Sequence, residues 1–63
     1  MTDIVITVFK DEIVLDIDIY NDILYSTYRK LYSNSSDGWM ELLSCFDEVR
    51  KTYPNANLSI KKG

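Results

Sequence analysis

Branched apolar residues fall at every second position from Ile4 to Ile19, with one interruption at Phe9-Lys10-Asp11-Glu12. A period of two belongs to extended chain, whose successive side chains point to opposite faces. The segment therefore predicts two antiparallel strands. Pairing Val8 with Ile13, Ile6 with Leu15 and Ile4 with Ile17 gathers six branched side chains on one face. Val5, Thr7, Val14, Asp16 and Asp18 then occupy the other. A slip of one residue would bury both aspartates, so the pattern fixes the register. The interruption has no glycine for a primed two-residue turn, which predicts a four-residue connection, Phe9 to Glu12, around a type I turn.

Beyond the hairpin the spacing changes. Asn21 is a helix-capping residue, and Asp22 would place a carboxylate in the favourable first turn. At 100° per residue Tyr20, Leu24, Thr27 and Leu31 share a stripe, with Ile23 and Tyr28 at its margins and Tyr25, Arg29 and Tyr32 turned away. This predicts a first helix ending in the linker-like Ser33-Asn34-Ser35-Ser36. Ser36 or Asp37 caps a second helix that runs to about Tyr53, with Trp39, Leu42, Leu43, Phe46, Val49 and Tyr53 on its apolar face, and Pro54 stops it. Leu58-Ser59-Ile60-Lys61 alternates as a short last strand, parallel to the first and antiparallel to the second. Lys61 opposite Asp16 or Asp18 favours the second as its neighbour, the more apolar character of the first favours that one, and the pattern does not choose between them. The expected fold is a single α+β domain over residues 1–63 of order ββααβ, a three-stranded sheet covered on one face by two helices. Its expected core is Ile4, Ile6, Val8, Ile13, Leu15, Ile17, Leu24, Leu31, Leu42, Phe46, Val49, Leu58 and Ile60.

With 63 residues the chain exposes much of its surface even when folded, so association with a second copy or a partner is expected. Cys45 is the only cysteine and there is no histidine, which excludes an intramolecular disulfide and any zinc set of paired cysteines and histidines. Met1-Thr2-Asp3 carries no basic cluster and no apolar stretch is long enough for a membrane span. A cytoplasmic protein without a signal peptide or membrane contact is expected. Net charge is −3, divided as −5 over residues 1–22 and +2 over the rest. An acidic first third repels phosphate and argues against direct nucleic-acid binding.

Two groups of residues and one cysteine are candidates for a functional site. Asp16 and Asp18 share a strand face, extended by Glu12, a row that could serve a carboxylate-based, metal-dependent enzyme or simply wet the sheet. Cys45, at the edge of the second helix's apolar face, has no histidine to act as its base and is read as a small hydrophobe. Tyr25, Tyr28 and Tyr32 with Arg29 would form one flank of the first helix, and Tyr and Arg are the residues that dominate protein interfaces. No motif for a metal, cofactor or catalytic nucleophile is present, so neither enzymatic activity nor a cofactor is expected.

The functional expectation is a non-enzymatic protein-binding module, an inhibitor or neutraliser of a larger host protein that it contacts through Tyr25, Tyr28, Arg29 and Tyr32. Small, acidic, motif-free domains of this kind are common among accessory proteins of bacteriophages and mobile elements. The alternatives are an acidic mimic of nucleic acid, presenting Glu12, Asp16 and Asp18 to a basic groove, and the metal-dependent enzyme. A homodimer is the expected self-associated form.

Overall fold

A computed structural model of the chain describes residues 1–63. Strand β1 spans Thr2–Val8, β2 Glu12–Tyr20 and β3 Tyr25–Ser33; helix α1 spans Ser36–Thr52 and β4 Asn57–Lys62. The sheet has four strands in the order β3-β2-β1-β4, antiparallel except for the β1–β4 pair. The α+β class holds, but the expected three-stranded sheet with two helices is overturned. The segment assigned to a first helix is strand β3, and one helix covers the sheet.

The hairpin has the expected register, Val8 to Ile13, Ile6 to Leu15 and Ile4 to Ile17. Its connection is shorter than expected, Phe9–Asp11, closed by the Phe9 amide donating to the Glu12 carbonyl at 2.8 Å, and no residue adopts a positive φ. Asn21 does satisfy backbone amides, those of Ile23 at 3.0 Å and Leu24 at 2.6 Å, but in the turn joining β2 to β3. A side-chain oxygen that caps a helix serves an Asx turn equally well. Tyr25, Thr27, Tyr28 and Tyr32, beyond that turn, suit a pleated strand better than a helix.

Ser35, one residue ahead of the expected cap, closes the start of α1 by accepting from the Gly38 amide at 3.2 Å. Gly38 is held close to β3, where an added Cβ would collide with the Ser33 carbonyl, so the strand-to-helix passage needs a residue without a side chain. Asn34 ties this passage to the opposite loop. Its amide nitrogen donates to the carbonyls of Phe9 at 2.8 Å and Lys10 at 3.3 Å, and its oxygen accepts from the Trp39 indole at 3.0 Å.

The helix leaves the β3 edge at Ser33 and delivers the chain to β4 at Asn57, which pairs with Asp3 at the opposite end of β1. It thus crosses the inner face diagonally. Beneath it lie Ile4, Ile6, Ile13, Leu15, Ile17 and Tyr32, which form the fully packed core with Leu42 of the helix itself, and Val8, Trp39, Cys45, Phe46 and Val49 pack around them. Two corners of the face stay open. Along β3 the inward side chains pass from Tyr28, 50% exposed, to Tyr32, 5% exposed, towards the start of the helix. Along β4 the order reverses, from Leu58, 41%, to Ile60, 63%, away from its end. Of the expected core, Leu24, Leu31, Leu58 and Ile60 are exposed, whereas Tyr32, expected to point outward, is interior.

Candidate functional site

On the outer face the edge strands donate hydrogen bonds to carboxylates carried by the central ones. Asp16 faces Arg29 across β2 and β3, and the Arg29 Nε lies 2.6 Å from its carboxylate. Asp18 accepts from the Thr27 hydroxyl at 2.7 Å and the Tyr25 hydroxyl at 3.1 Å. Asp3 accepts from the Asn57 amide at 3.0 Å. The hydrogen bond and charge of Asp16 push the Arg29 guanidinium above its usual range. Glu12 stands apart at the hairpin end, opposite Ser33. No three acidic or cysteine side chains converge in a metal-holding arrangement.

The four interface candidates do not form one flank. As members of a strand, Tyr25 and Arg29 lie on the outer face and Tyr28 and Tyr32 on the inner one, because odd and even positions alternate. Tyr25 and Arg29 thereby meet Asp18 and Asp16, so residues expected on separate surfaces share one. Tyr25 also packs against Tyr20, their ring centres 4.8 Å apart.

Tyr28 and Tyr32 belong instead to the open corner between β3 and α1. There a cleft of about 720 Å³ is floored by Ile17, Ile19, Tyr28 and Tyr32 and walled by Cys45, Val49 and Tyr53. Glu41 and Glu48 stand on its helical rim. Lys30 reaches over the Tyr32 ring, its ammonium 5.3 Å from the centroid. The Tyr32 hydroxyl is buried with the Cys45 thiol beside it as a weak partner at most, and no group meets it in good hydrogen-bonding geometry. Burial pushes its ionisation well above the ordinary phenol range, and the adjacent Cys45 thiol adds to the shift. The cleft had one legible signal in the sequence: Cys45, Val49 and Thr52 recur at helical spacing beside Glu41 and Glu48, a helix margin that is apolar with a charged border.

No helix is long and apolar enough to cross a membrane. No family model, curated protein or solved structure matches the chain.

Proposed function

We propose that the chain is a non-enzymatic protein-binding module, an inhibitor or neutraliser of one larger protein, and that a segment of that partner seats in the corner between α1 and β3. The cleft carries this reading: it is concave, mainly apolar, aromatic in lining and bordered by charge, the make-up of surfaces that accept an anchoring side chain. Glu41 and Glu48 on the rim suit an apolar segment flanked by a basic residue. Tyr25 and Arg29, on the outer face of the same strand, would supply a second, smaller contact. This mode of action is that of accessory proteins of bacteriophages and mobile elements. A cytoplasmic location fits, since Cys45 has no second cysteine to pair with.

Mimicry of nucleic acid has less support. Asp16 is already paired with Arg29, and Asp18 with Tyr25 and Thr27, which leaves Glu12 as the one member of the proposed row without such a partner. Affinity capture from the native cell separates the two readings. Ser44 lines the cleft from the exposed side of the helix, so Ser44→Trp should fill it and lose the captured protein, while Tyr25→Ala with Arg29→Ala should weaken capture only partly. Retention by Ser44→Trp, with loss on Glu12→Gln and Asp16→Asn, would favour the acidic face.

A further inference from the structure

The outer edge of β3 has its own geometry. The Asn21 amide donates to the Leu24 carbonyl and the Asn34 amide to the Asp11 carbonyl. Hydrogen-bonded pairs alternate along an antiparallel ladder, so the even-numbered residues of β3 turn their backbone groups towards β2. The odd-numbered residues, Tyr25, Thr27, Arg29, Leu31 and Ser33, turn theirs to solvent. This is an unpaired edge nine residues long, and all but Tyr32 of the strand is exposed.

We propose that this edge pairs with the same edge of a second copy, antiparallel about Tyr28, to form a twofold dimer with a continuous eight-stranded sheet. Charge placement selects that register. Centring on Arg29 would set Arg29 against itself, and centring on Lys30 would do the same to Lys30. Centring on Thr27 pushes Leu31 against Ile23, outside the strand. About Tyr28 every cation meets a neutral residue: Arg29 lies opposite Thr27 of the second copy and Lys30 opposite Ser26. The apolar and aromatic groups also match, Tyr28 with Tyr28 on the inner face and Leu31 with Tyr25 on the outer. The rival edge, β4, is shorter, six residues against nine, and offers a shorter ladder of backbone hydrogen bonds.

The surface of the single chain points the same way. It exposes 4633 Å², about a tenth more than the roughly 4,200 Å² expected of a compact monomer of its mass. The excess of about 400 Å² is half of what one partner contributes to a standard interface, about 800 Å². Because the axis stands perpendicular to the sheet, both helices lie on the same side and the two open corners adjoin. Their clefts then become one trough with Tyr28 of both copies on its floor. Such a dimer goes beyond the partner-binding role and is tested without any foreign partner.

In a Cys45→Ser background, Tyr28→Cys should oxidise to a covalent dimer, since facing residues of a non-hydrogen-bonded pair lie about 4.5 Å apart at Cα, within disulfide reach. Ser26→Cys and Lys30→Cys should each remain uncrosslinked alone and crosslink when mixed. Sedimentation of the unaltered protein should show a dimer in the micromolar range. Thr27→Pro, which removes an outward amide at a position where an edge strand tolerates proline, should give a folded monomer. A monomer throughout that range, or a dimer that crosslinks through Ile60→Cys in β4 and not through Tyr28→Cys, overturns the proposal. Neither result bears on whether Ser44→Trp abolishes partner capture.

Discussion

The central strands and the edge strands of this sheet end in opposite states of burial. β1 and β2 are largely buried on the inner face, whereas all of β4 and all but one residue of β3 are exposed. The cause is width. A helix is about 10 Å across and strands are about 4.8 Å apart, so one helix shelters about two strands of four. Its diagonal path decides which residues of the edges are reached: Tyr32 at one end, and the less exposed Leu58 at the other. The part of the sheet that the helix is too narrow to cover is the part for which binding is proposed.

The contrast breaks most completely at Leu42, fully buried where the helix meets the central strands. Leu42→Ala should cost about 3–4 kcal/mol, close to the whole stability of so small a domain, and urea denaturation with circular dichroism will read it. Ile60→Ala, at the open β4 corner, should cost well under half of that. A smaller loss is expected for Asn34→Ala, about 1–2 kcal/mol, because it frees two loop carbonyls and the Trp39 indole together; chemical denaturation against the parent checks it.

Tyr32→Phe should act in the other direction. Removing a buried hydroxyl that has no well-aligned partner should raise stability by about 1 kcal/mol. It should also change the alkaline limb. The phenol ionises at 10.0 in the unfolded chain and higher in the folded one, so the folded state holds its proton more tightly and stability falls as pH rises above 10. Thermal melts across that range should fall less steeply for Tyr32→Phe than for the parent. The smallest effect belongs to Asp16→Asn. Its partner Arg29 is 68% exposed, so solvent screens the pair and breaking it should leave the melting temperature almost unchanged.

The same difference in cover explains what could be read from the sequence. β1 and β2 each bury one face, so their apolar residues alternate cleanly and register, partner and outer-face aspartates were all legible. The helix from Ser36 was legible through its apolar spacing and Pro54, and the last strand through Leu58 and Ile60. β3 was not legible because neither of its faces is consistently apolar: Tyr28 alternates with Arg29, and Lys30 with Leu31. With no burial to enforce a period of two, Tyr20, Leu24, Thr27 and Leu31 imitate a helical stripe, and Asn21 fits either structure. That single misassignment of period joined Tyr25 and Arg29 to Tyr28 and Tyr32, which the strand separates. Counting alternate positions would have set Arg29 beside Asp16 and Thr27 beside Asp18, leaving Tyr28 as the aromatic residue at the open corner.

The parallel partnership of β1 with β4 sets an order of events in folding. β1, β2 and β3 join through short turns and can zip on the microsecond scale of hairpins, whereas the Asp3–Asn57 contact closes 54 positions of chain. The meander and α1 should therefore form ahead of β4, which would dock last onto a strand already paired on its other side. Substitutions in β4 should accordingly quicken unfolding while leaving the refolding rate almost untouched, and amides of β4 should exchange with solvent before those of β2, as stopped-flow and hydrogen-exchange measurements will read.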